Sequence, residues 1–194
     1  MTLKDTAKSK AWLLAEADYV AERLMVLLAP YCTRIEVAGS IRRRKPLIHD
    51  IELLAVPRLL IAYGFDLFGQ PAAGRDSLND RILDLIEEGV LTYRLNKKGS
   101  RTFGPLNKLL VHVPSGISVD LFYTTMENYG MAMVVRTGSA QFCVKVMSRL
   151  IALGHRGHAY GGITLKGGEE LACPTEEIVF QTAGWRYRPP EERG

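Results

Sequence analysis

The chain has 194 residues, with 25 Lys and Arg against 21 Asp and Glu, and 47% of it is apolar. Charged residues at 24% fall in the ordinary globular range, and no apolar run approaches the roughly 18 residues of a membrane span, so disordered, fibrous and membrane-spanning classes are excluded. Three widely spaced cysteines (Cys32, Cys143, Cys173) form neither a disulfide framework nor a Cys-x-x-Cys pair, which predicts a reducing, intracellular setting.

In chain order, apolar residues at three-to-four spacing (Leu13, Leu14, Ala17, Val20, Leu24, Leu27, Leu28) predict one amphipathic helix over Asp5 to Ala29, ended by Pro30. Glu16, Asp18 and Glu22 interrupt this stretch, so no signal peptide is expected. A short strand over Ile35 to Ala38 runs into a Gly39-Ser40 turn, and a second strand over Asp50 to Val56 stops at Pro57. A helix is predicted over Asp76 to Glu88, with Leu78, Ile82, Leu85 and Ile86 on one face. Antiparallel strands follow over Leu91 to Leu95, Lys108 to Val113 and Ile117 to Tyr123, the last two joined by a Pro114-Ser115-Gly116 hairpin turn.

From Ser139 the pattern is helical through Phe142, Val146, Leu150 and Leu153. A Gly-rich stretch then carries short strands around Tyr160 to Lys166, and Thr175 caps a last helix to Thr182. The change of pattern over Tyr129 to Gly138 marks the expected lobe boundary, dividing the chain into 1–130 and 131–194. Two stretches, Gly89 to Val119 and Gly130 to Gly168, contain no acid and carry Arg94, Lys97, Lys98, Arg101 and Lys108, and Arg136, Lys145, Arg149, Arg156 and Lys166. Such stretches suit a polyanion groove and equally an ordinary solvated basic face.

The chemistry concentrates in three carboxylates. Strand periodicity puts Asp50 and Glu52 on one face and Ile51 on the other. Asp120, flanked by Val119 and Leu121, has the same setting on a later strand. If the strands are neighbours the carboxylates converge, and their mutual repulsion calls for hard divalent cations, Mg²⁺ or Mn²⁺. Two such ions can activate a hydroxyl and stabilise a leaving phosphate. Ten residues before Asp50, the turn at Gly39 and Ser40 offers backbone N–H groups to an anion, and the Arg42, Arg43, Arg44 and Lys45 that follow can clamp a triphosphate.

Gly39-Ser40-Ile41-Arg42-Arg43 followed by Asp50-Ile51-Glu52 resembles the nucleotidyltransferase motif of the family X (polymerase beta-like) DNA polymerases. Val119-Asp120-Leu121 is similar to the strand bearing their third acid, and Arg136-Thr137-Gly138-Ser139-Ala140-Gln141-Phe142 to the segment lining their nucleotide site. The run from Pro174 through Phe180, with Trp185 to Arg193, resembles the end of their thumb. The resemblance implies an α+β fold, in which a nucleotidyltransferase palm with a mixed or antiparallel sheet and flanking helices precedes a small α+β thumb. It implies that Asp50, Glu52 and Asp120 hold two Mg²⁺ or Mn²⁺ ions, with Asp120 nearest the primer 3′-hydroxyl. Gly39, Ser40 and Arg43 would bind the β- and γ-phosphates, and Arg136, Thr137, Gly138 and Ser139 would line the nucleotide.

The implied function is a DNA-directed nucleotidyltransferase that extends a primer, with gap filling in DNA repair as the leading form. Its partners would be primer–template or gapped DNA and nucleoside triphosphates, with no membrane, the chain is expected to act as a monomer, and its minimal palm-plus-thumb layout resembles the smallest viral members. Departures from the family pattern are Glu52 in place of Asp, Val135 and Arg136 in place of an aromatic pair, and Cys143 and Met147 in place of Asn and Arg. The last two keep untemplated terminal transfer open as an alternative, and a catalytically inactive nucleic-acid-binding module is the third reading. His155 and His158 have metal-like spacing but no thiolate nearby.

Overall fold

The computed structural model describes residues 10–60, 75–96 and 99–194. Asp5 to Ser9 of the expected first helix, and Lys97 and Lys98 of the first basic stretch, lie outside the described residues.

The elements are β1 (Trp12–Leu13), α1 (Leu14–Leu28), β2 (Cys32–Val37), α2 (Gly39–Arg42), β3 (Leu47–Ile48), β4 (Asp50–Pro57), β5 (Leu59–Leu60), β6 (Arg75–Asp76) and α3 (Ser77–Glu87). After them come β7 (Leu91–Tyr93), β8 (Asn107–His112), β9 (Ser118–Tyr123), α4 (Tyr129–Thr137), α5 (Ala140–Ala152), β10 (Arg156–Gly157), β11 (Ile163–Thr164), β12 (Glu170–Leu171) and α6 (Glu176–Thr182). The first helix begins later than its apolar spacing predicts. Trp12 and Leu13 pair in extended form with Leu47 and Ile48, and the Leu13 N–H donates to Glu16 Oε2 at 3.0 Å, which fixes the helix start.

The main sheet has the order β2-β4-β9-β8-β7. Only β4 and β9 run parallel, so the sheet is mixed and the α+β expectation holds. Alternation along β4 sets its two faces. Ile51 and Leu53 join Leu121 of β9, Ala17 and Leu24 of α1, and Leu78 and Ile82 of α3 in one core. Leu54 and Val56 point the other way and meet Ala132 and Met133 of α4, with Phe122 of β9. Asp50 and Glu52 share that second face at the end of β4 opposite Leu54 and Val56.

Residues from α4 to Ala183 build a further core around Met131, Val134, Phe142, Val146, Leu150, Ile163, Val179 and Phe180. The expected lobe boundary falls inside α4, which contributes side chains to this core and to the cluster with Leu54 and Val56. A side chain on Gly130 would meet the Thr175 carbonyl carbon at 2.1 Å, so glycine permits the close approach of α4 to the start of α6. Trp185 and Tyr187 belong to this packing, their rings 6.4 Å from Phe142 and 5.4 Å from Phe180 respectively. His155 Nδ1 accepts from the Lys166 N–H at 3.2 Å and His158 Nε2 meets Thr164 Oγ1 at 2.8 Å, so both imidazoles hold the β10–β11 region together. Among the described residues, no helix is long and apolar enough to cross a membrane.

Candidate active site

Register decides which carboxylates meet. On the parallel pair β4 and β9, Asp50 stands opposite Ser118 and Glu52 opposite Asp120, so the three acids share one face of two neighbouring strands. Burial comes first in raising the Glu52 carboxyl to about 7, and the charges of Asp50 and Asp120 add to it against the opposing pull of Arg43 and Arg136. Asp120 is pushed up to about 6 by burial, with Arg94 acting against that shift and Asp50 with it. The sheet therefore gathers negative charge that the protein only partly neutralises.

Among the described residues, no three Asp, Glu, His or Cys side chains stand together as a metal site. The Asp120 carboxylate of the expected ligand set stands in an ion pair with Arg94 Nη2. The donor chemistry still fits a divalent cation, since all three groups are hard carboxylate oxygens whose repulsion such an ion would relieve.

The Gly39 turn lies directly against this patch. Gly39 has φ +63°, and a methyl group there would come within 1.9 Å of Glu52 Oε2. Glycine is thus required by the carboxylate next door as well as by the left-handed backbone. Gly39→Ala is expected to lose about 1–3 kcal/mol of stability from the strained backbone alone and to dislodge Glu52. Urea denaturation checks the first effect, and wild-type stability would refute the close approach.

Ser40 Oγ and Arg43 Nε are buried beside that turn with no hydrogen-bond partner among the described residues. Two polar groups left unsatisfied at one turn are costly, and they suit an anion that would complete them. Arg43 Nη1 donates to the Thr137 carbonyl. Arg42 faces away and gives both Nη atoms to Glu176, each at 2.8 Å, with Nη1 also 3.0 Å from Thr137 Oγ1.

The expected nucleotide-lining residues follow in order. Thr137 is fully buried, its hydroxyl accepting from Arg42 and facing Met133 Sδ, so that hydroxyl is enclosed rather than offered to a ligand. Ser139 caps α5 by accepting from the Phe142 N–H at 3.2 Å, and its own N–H donates to the Arg193 carbonyl. Gly138 packs against Phe142 and Cys143. Arg136 lies with its guanidinium 3.7 Å from the Phe122 ring centre and 4.9 Å from that of Tyr160, close enough to bear on Glu52 and Asp120.

Two residues of this neighbourhood carry no signal in the sequence beyond their charge. Arg94 reaches Asp120 from β7's end, and Arg42 meets a glutamate 134 positions away. The Glu176 carboxylate also receives Arg193 Nη1 at 2.5 Å, and Arg193 is completely buried.

Residues 132–194 match the family model of the DNA polymerase beta thumb. This bears out the resemblance to family X polymerase-like proteins through the thumb, and the match begins at Ala132 inside α4. No curated protein matches the chain.

Proposed function

We propose that this chain is a DNA nucleotidyltransferase that adds nucleotides to a primer 3′-hydroxyl by in-line phosphoryl transfer. The observation that carries the reading is the placement of Asp50, Glu52 and Asp120 on one sheet face, in register and directly beside the Gly39 turn. The thumb match over residues 132–194 supports DNA as the acceptor.

Asp50, Glu52 and Asp120 would hold two divalent cations, whose charge lowers the cost of the attacking and leaving oxygens when bound. The chain's own residues do the positioning. Ser40 Oγ and Arg43 Nε supply donors to the terminal phosphates of the incoming nucleotide. Asp120 lies nearest the primer 3′-oxygen, which attacks the α-phosphorus as pyrophosphate leaves. Arg136 fronts the same space as a cation held on two rings, placed to meet phosphate or the face of a base.

Gap filling directed by a template is the leading form. Untemplated transfer is the second reading, and one feature of α5 favours it. Cys143 Sγ is already turned to the Val135 carbonyl at 3.3 Å, and Met147 packs towards Gly157, so neither side chain offers a polar group to a base pair. Primer extension on one-nucleotide-gapped duplex and on single strand, with each nucleotide supplied alone, separates the readings. Incorporation only of the complementary nucleotide, strongest on the gap, is expected. Incorporation regardless of template would assign terminal transfer, and no incorporation under Mg²⁺ or Mn²⁺ would refute the enzyme.

A further inference from the structure

Arg94 follows β7 at the edge of the main sheet, two strands from Asp120. Its N–H donates to the Leu109 carbonyl at 3.0 Å, and Leu109 is the register partner of Asp120. The side chain therefore arches over β8, spanning two strand spacings of about 4.8 Å each, and ends on the carboxylate of a candidate cation ligand. The pair is accessible from solvent, with side-chain exposures of 26% for Arg94 and 16% for Asp120.

We propose that Arg94 is an exchangeable counter-ion: it occupies Asp120 until a nucleic-acid phosphate takes the guanidinium, and only then does Asp120 become free to hold a cation. The inference rests on the reading of Asp120 as a cation ligand. It makes Arg94 a positioning residue that orders binding, DNA first and cation second.

Four observations carry it. As the side chains stand, the acids among the described residues form no ligating cluster, and Asp120 is engaged by Arg94. Carboxylate and phosphate are alternative partners for the same planar guanidinium fork, so one can replace the other without loss of geometry. Arg94 has nowhere else to go on its own hairpin, since no Asp or Glu occurs between Gly89 and Val119. Beyond it the hairpin continues through Leu95, 58% exposed and bridged to the exposed Arg101, whose guanidinium lies 4.6 Å from the Tyr93 ring centre. Arg101 thus adds a second cation at this edge of the sheet, held on Tyr93 rather than on Asp120. Arg136, the other cation near Asp120, is stacked on two rings and is the less readily displaced of the two.

Such an exchange couples the two ligands, and the coupling is reciprocal. The test follows the electron paramagnetic resonance signal of free Mn²⁺ at fixed ionic strength. It uses the full chain, without nucleotide, with and without a primer–template whose 3′ end is dideoxy. The wild type is expected to bind Mn²⁺ at least about fivefold more tightly once the oligonucleotide is added. Arg94→Gln is expected to bind Mn²⁺ tightly from the start and to gain little from the oligonucleotide. Arg94→Met repeats the measurement should the amide disturb local packing, and circular dichroism verifies both folds. Either variant binding Mn²⁺ no more tightly than wild type in the absence of DNA overturns the proposal. So does a DNA-induced tightening that persists in both. If Asp120→Asn binds Mn²⁺ as well as wild type with and without DNA, the cation reading itself fails, which is a separate outcome.

Discussion

Asp120→Asn should lower single-turnover primer extension about a thousandfold and leave the protein folded and bound to DNA. The substitution keeps the shape of the side chain and removes one carboxylate from the set proposed to hold the cations. Metal ions contribute several kcal/mol of charge stabilisation to such reactions, and a loss of about 4 kcal/mol corresponds to roughly three powers of ten in rate. Stability should change by no more than about 1 kcal/mol, since a partly exposed ion pair is worth little in net terms. Burial of the Asp120 carboxylate outweighs what Arg94 returns, since its pKa stays above the ordinary value. DNA affinity should hold or rise slightly, because a negative charge facing the phosphates is gone. Rapid-quench extension with fluorescence anisotropy on the same duplex reads both quantities. Extension within tenfold of wild type would mean that the carboxylate patch is not the catalytic centre.

The largest expected effect on stability lies elsewhere. Glu176→Ala should destabilise the protein by about 3–5 kcal/mol, or roughly 10 °C in melting temperature for a chain of this size. The Glu176 carboxylate pairs with both Arg42 and the fully buried Arg193, with Tyr187 Oη 3.3 Å from it. Removing it strands a guanidinium in the interior, and a buried unpaired charge is far more costly than the pair was favourable. Combining Glu176→Ala with Arg193→Leu should recover part of the loss by removing the stranded charge. The pH dependence has a definite sign. Burial alone would raise the Glu176 carboxyl, but hydrogen bonds and charge from Arg42 and Arg193 outweigh it and hold the pKa below its ordinary value of 4.5. Its contribution is therefore present above pH 4.5 and is lost as the pH falls through the lowered value in the folded state. Urea titrations at pH 7 and pH 3.5 should show the variant closing on wild type at the acid end. An unchanged gap would mean that the carboxylate charge is not what stabilises this junction.

Local periodicity explains what could be read in the sequence. Asp50 and Glu52 share a face because strands alternate, and Val119 and Leu121 put Asp120 in the same setting on β9. The α3 helix announces itself because it is apolar on one side, and α1 because its buried Ala17, Val20, Ala21, Leu24 and Leu28 recur at three-to-four spacing. The α4 helix does not. Tyr129 through Val134 are all buried, between the sheet and the second core, so no polar face marks the helix and its segment reads as a boundary. Strands β10 to β12 have two residues each, too few for alternation to register. Pairings between distant positions are equally invisible: Arg94 with Asp120, and Arg42 with Glu176, obey no spacing rule and follow from the assembled sheet and helices.

The double allegiance of α4 also bears on how the molecule comes apart. Two hydrophobic cores of this kind would ordinarily melt in separate steps, the smaller one first. Here one helix supplies Ala132 and Met133 to the cluster on the sheet face of Leu54 and Val56, and Met131 and Val134 to the core around Phe142 and Phe180, so loss of order in one is expected to disturb the other. Arg42, the last residue of α2, fastens the Gly39 turn to the start of α6 in the same way. The Gly39 turn and residues 132–194 are thus tied together, and they are expected to open as one cooperative unit.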